Sequence, residues 1–133
     1  MKLLALFAIL ALTLVTPAAA AKPVASGTIT GPNEAAPYAF GDPITFTVTT
    51  ANLKGNQYPL VYVACSSVVD GELLYGQLAH PYETFVLGGG SSPWHLDRDD
   101  VNCLAHLYAY GGKEKGFDVI VELADPVTFF AEG

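Results

Sequence analysis

Residues able to do chemistry are sparse in this chain, and their spacing decides most of what they can do. The histidines are His80, His95 and His106. None of these spacings sets two ligands side by side on a helix turn or on one strand face, so no local metal pair forms. The densest polar run is His95-Leu96-Asp97-Arg98-Asp99-Asp100-Val101-Asn102, where Asp97, Asp99, Asp100 and Asn102 offer oxygen ligands for calcium. An EF-hand loop needs alternating ligands, a central glycine and a closing bidentate glutamate, and after Asp97-Arg98-Asp99 the spacing fails. A solvated acidic loop is expected, with no metal and no cofactor.

Nucleophilic catalysis fares no better. A serine nucleophile is advertised by a strained strand-to-helix turn such as G-x-S-x-G, whereas Gly90-Ser91-Ser92 lies in a glycine-rich stretch with no helix after it. A compact hydrolase would have to pair Asp99 or Asp100 with a histidine, and a small all-β domain offers little cleft around paired carboxylates. The expectation is a protein that is not an enzyme.

The elements that must position any binding residues begin after an export signal. Lys2 precedes the apolar run Leu3 to Leu12, and Thr13 to Pro17 lead into Ala18-Ala19-Ala20-Ala21. This is the charged, hydrophobic and small-residue order that export machinery reads, so residues 1–20 are expected to be a cleaved signal peptide and 21–133 the mature domain. Pro17 and the alanines interrupt the run before a full membrane span is reached. The expected product is secreted and does not insert in a membrane. Cleavage leaves five basic residues against thirteen acidic ones, a net charge of −8. Such a chain is repelled by phosphate backbones, which argues against nucleic acid as a partner.

Cys65 and Cys103 are the two cysteines of the 133-residue chain. In an exported protein an even count points to a disulfide rather than to free thiols.

Beyond residue 21 helix signals are nearly absent, while period-two alternation and turn residues recur, the pattern of an all-β sandwich or barrel. Strands are expected over 24–30, 44–50, 58–65, 84–87, 101–110, 117–123 and 127–131, with Leu73-Leu74-Tyr75 following a hairpin turn at Asp70-Gly71-Glu72. Ile44, Phe46 and Val48 should face the core and Thr45, Thr47 and Thr49 water. Phe117, Val119, Val121 and Leu123 should share one face. Gly88 to Pro93 reads as a flexible loop and Gly111-Gly112 as a turn.

Gly41-Asp42-Pro43-Ile44-Thr45-Phe46-Thr47-Val48, Val61-Tyr62-Val63-Ala64-Cys65 and Asp99-Asp100-Val101-Asn102-Cys103-Leu104-Ala105-His106-Leu107-Tyr108 resemble strands B, C and F of immunoglobulin-like domains in secreted bacterial and phage proteins. The resemblance implies a two-sheet antiparallel sandwich of seven to eight strands. It departs from antibody domains, which bridge strands B and F and bury a Trp on strand C. Here the bridge would join C to F within one sheet, and Trp94 lies before strand F. The implied function is a non-enzymatic module for adhesion, recognition or a structural role, with a protein or glycan partner. A carrier of a small ligand, or an inhibitor of a secreted enzyme, is the alternative.

If Cys103 points inward, Val101, Ala105 and Leu107 share its side, and Leu104, His106, Tyr108 and Tyr110 share the other. The same rule puts Val61, Val63 and Cys65 inward and Tyr62 outward on the neighbouring strand. Tyr62, Leu104, His106, Tyr108 and Tyr110 then gather on one sheet face. Such a face serves either cross-strand packing that steadies the sheet or contact with a partner.

Overall fold

The computed structural model describes residues 23–114 and 117–133, with the side chains of 113–119 outside the description. The signal segment expected at 1–20 lies outside the described residues, as do the side chains of Phe117 and Val119. The described chain is all-β. Its strands are β1 (Ser26–Thr30), β2 (Tyr38–Ala39), β3 (Pro43–Ile44), β4 (Thr47–Ala51), β5 (Tyr58–Ser67), β6 (Leu73–Ala79), β7 (Phe85–Val86), β8 (Val101–Glu114), β9 (Phe117–Glu122) and β10 (Val127–Glu132). Among the described residues the one helical piece is a 3-10 turn at Pro93–His95.

The main sheet has the order β2-β10-β8-β5-β6. Its long central strand β8 pairs antiparallel with β5 from Val101 to Tyr110. On its other edge β10 pairs with residues 101–105 and β9 with residues from 108 onward. The Leu123 N–H donates to the Leu107 carbonyl at 2.9 Å and carries the ladder across the gap between them. β2 pairs with β10 in parallel, so the sheet is not wholly antiparallel as expected.

Alternation explains the core. Val61, Val63 and Cys65 of β5 and Val101, Cys103, Ala105, Leu107 and Ala109 of β8 all point to the same side and are buried. The small pairs β1-β4 and β3-β7 add Ile29, Ile44 and Phe85 to the same apolar cluster, and Phe46, between β3 and β4, joins them. The layering is compatible with a β-sandwich. At its centre Cys65 stands opposite Cys103 in the β5-β8 register, with their Sγ atoms at disulfide distance, 2.04 Å.

Three expected elements differ. The strand over 44–50 divides into β3 and β4, because Thr45 is taken by the crossover at 31–37. The Thr45 N–H and hydroxyl donate to the Glu34 carboxylate at 2.8 and 2.6 Å, and its carbonyl accepts from the Asn33 N–H at 2.9 Å. Gly111-Gly112 is not a turn but a bulge inside β8. Both residues have positive φ, the register shifts between Tyr110 and Lys113, and a Cβ on Gly111 would stand 2.5 Å from the Asn56 carbonyl oxygen.

The segment Gly88 to Pro93, expected to be a flexible loop, is tied to the core instead. Gly88, at φ +76°, lies under the Phe40 ring, which would meet a Cβ there at 2.3 Å. The Ser92 hydroxyl donates to the Gly88 carbonyl at 3.1 Å. The loop then enters the 3-10 turn that buries Trp94, whose indole N–H donates to the Asp99 carbonyl at 2.8 Å.

Candidate functional site

The polar run of 95–102 does not gather into one ligand set, although Asp97 lies beside Asp99. Asp99 accepts from the Ser67 hydroxyl at 2.7 Å, and Asp100 accepts from the Gly133 N–H at 3.0 Å. Asn102 lies on the outer face of β8, beside Phe130 of β10 in register. Among the described residues no group of three or more His, Cys, Asp or Glu side chains is placed to hold a metal ion. The histidines are also apart in their surroundings. His95 meets the edge of Phe40, His80 stacks on Tyr82, and His106 pairs with Glu122.

The outer face of the main sheet brings the expected aromatic residues together. Tyr62 stands opposite His106 in register, with their rings stacked at 6.3 Å. His106 in turn stacks on Tyr108 of its own strand, with centroids 5.5 Å apart and planes 12° from parallel. Tyr110 packs against Tyr58 at 5.8 Å. Leu104 lies one row further, opposite Ala64. The rings cover one another, so Tyr62, His106, Tyr108 and Tyr110 are half-buried, and Leu104 is more open. Ordinary cross-strand packing therefore accounts for part of this arrangement.

Several residues of the face were not singled out from the sequence. Glu122 of β9 stands opposite Tyr108 and reaches His106, its Oε1 lying 3.0 Å from Nδ1. Burial first, then the neighbouring Glu122 and Tyr62, push the Tyr108 phenol above its ordinary range. Leu78 of β6 lies opposite Tyr62, and Phe130 of β10 opposite Asn102. Ile120 lies opposite Tyr110. Placing Phe117, Val119, Val121 and Leu123 together already put Ile120 and Glu122 on the complementary side. What single-strand alternation lacked was the cross-strand register that brings them beside Tyr108 and Tyr110.

The result is an apolar face with the His106–Glu122 hydrogen bond in it. Leu78 is 52% exposed, Phe130 48%, Ile120 57% and Leu104 39%, around the half-buried stack of Tyr62, His106 and Tyr108. What the surface can do is bury apolar area against another surface, with His106 and Glu122 as its polar reference point. No protein-family model, no curated protein and no solved structure matches this chain.

Proposed function

We propose that the chain is an exported, non-catalytic recognition module of immunoglobulin-like design that binds a protein partner through the outer face of its main sheet. The strand order supports the architecture: β10, β8, β5 and β6 follow the order G, F, C and C′, and β2 lies parallel to β10 at the sheet edge. β1, β4, β3 and β7 take the places of A, B and E. The Cys65–Cys103 pair suits an oxidising compartment, and none of the described helices is long and apolar enough to cross a membrane.

The observation that carries the recognition role is the exposure of Leu78, Leu104, Ile120 and Phe130 around one aromatic stack. Isolated exposed apolar residues are common, but several on one face of one sheet make a patch of the kind that marks binding. Tyrosines add large, rigid, amphipathic area at low entropic cost.

The test is capture of a partner from the native extracellular fraction by the wild type and by Tyr108→Ala and Leu104→Glu. Both variants should lose the captured protein while melting cooperatively. A partner retained equally by all three, or no partner at all, would remove the basis of this reading.

A further inference from the structure

We propose that the free edge of β4 accepts an extended, uncharged peptide strand from a partner polypeptide. The small β1-β4 sheet is incomplete. β4 is paired along its full length with β1, from Ser26↔Ala51 to Thr30↔Thr47, and has no second strand neighbour among the described residues. Its other edge carries alternate N–H and C=O groups with no ladder to join, and such a row is a template for another strand. None of the devices that blunt an edge is present in Thr47-Val48-Thr49-Thr50-Ala51, which has neither charge nor proline.

The neighbour that could have filled this place turns away. β7 pairs with β3 only at Pro43↔Val86 and Ile44↔Phe85. Continued backwards, its antiparallel line would run beside β4. Instead the chain folds into a turn at 80–83, closed by the Glu83 N–H donating to the His80 carbonyl at 3.0 Å and the His80 N–H donating to the Glu83 carboxylate at 2.7 Å.

The space left is an open groove of ≈ 670 Å³ with Phe46, Val48 and Thr50 on one wall and Tyr58, His80 and Tyr82 on the other. Apart from His80 its lining holds no titratable group but the tyrosine phenols, so a charged occupant would find no counter-charge. The far wall is aromatic. Tyr82 is 82% exposed on a closed turn, its ring is parallel to His80 within 3°, and His80 leans on Tyr58 at 6.0 Å. A strand of about five residues, roughly 17 Å long at the usual rise, would match β4. Main-chain bonds to β4 would supply affinity, and apolar side chains at alternate positions, entering over Phe46 and Val48, would supply selectivity. A polyproline helix lacks the N–H row that the edge calls for, and a saccharide would use only the aromatic wall.

The groove adjoins the outer face of the main sheet only at Tyr58, so the two readings can fail separately. The experiment is selection of a phage-displayed library of random linear heptapeptides on the mature protein, followed by anisotropy measurements with the synthesised hits. Expected are uncharged sequences with apolar residues at alternate positions. Backbone N-methylation of one alternate set of residues should weaken binding at least tenfold and of the other set hardly at all. Tyr82→Ala should weaken it, Leu104→Glu should not, and amide exchange along β4 should slow on binding. Absence of enriched peptides, proline-rich hits, or indifference to N-methylation of either set would overturn the proposal.

Discussion

The Tyr62 hydroxyl occupies the place of the side chain that Gly76 lacks: a Cβ on Gly76 would stand 2.9 Å from it. The two residues lie on the outer faces of the paired strands β5 and β6, with Gly76 opposite Ala64. A glycine inside a strand is weak for entropic reasons, and an aromatic ring laid over it restores lost packing.

The sign of a Gly76→Ala substitution should therefore depend on Tyr62. In the wild type it displaces the ring from its stack on His106 and should cost about 0.5 kcal/mol. In a Tyr62→Ala background the obstruction is gone, and the same change should stabilise by about 0.5–1 kcal/mol. Urea denaturation of the four proteins measures the difference. Equal effects in both backgrounds would show that the two residues are not coupled.

Trp94 is the side chain on which the loop between β7 and β8 depends. It is fully buried, meets the edge of Phe40 at 5.2 Å and donates to Asp99, whose own carboxylate accepts from Ser67. Trp94→Ala should cost about 3–5 kcal/mol, as large-to-small changes of buried aromatics do. Trp94→Phe should cost less, although the Asp99 carbonyl then loses its donor. Thermal melts order the three proteins.

The role of Trp94 was only half legible in the sequence. Its departure from the antibody position on strand C was visible, but not that the Phe40 ring would close against it, because that contact joins segments far apart in the chain. The alternating strands were legible because alternation is local: Val61, Val63 and Cys65 declare their face without reference to any neighbour. The break in the strand over 44–50 was not, since it arises from Glu34 holding Thr45. The two-residue β2 likewise exists only through its pairing with β10. The candidate face was readable on β8 and at Tyr62, whereas Leu78, Glu122, Ile120 and Phe130 join it through the registers of β6, β9 and β10.

Glu34 should make stability depend on acid. Desolvation pushes its carboxyl up, but hydrogen bonds led by that from the Thr45 hydroxyl outweigh this and hold it below the ordinary value. A carboxyl whose folded pKa is depressed contributes fully above its unfolded value, near 4.5, and the contribution fades as pH falls through the folded value. Glu34→Gln should therefore lower the urea midpoint at pH 7, and the gap from wild type should narrow at pH 3. A gap that stays the same at both values would assign the effect to shape rather than charge.

The Cys65–Cys103 bridge should resist reductant until the protein opens. Both cysteines are buried at the centre of the β5-β8 pairing, with Tyr75 opposite Cys65 and Phe129 opposite Cys103 on the flanking strands. Thiolate attack needs access to a sulfur, which the folded core denies. Alkylation without reductant should label neither cysteine. With dithiothreitol, labelling should be slow in buffer and fast in urea, as intact mass would show. Replacing both cysteines by Ala should cost about 4 kcal/mol in the chain-entropy model for a separation of 38 residues, in addition to the lost packing. That is a large part of the 5–15 kcal/mol typical of a domain, so the doubly substituted protein should melt far below the wild type. Rapid reduction of the native protein would show instead that the strands around the bridge open readily.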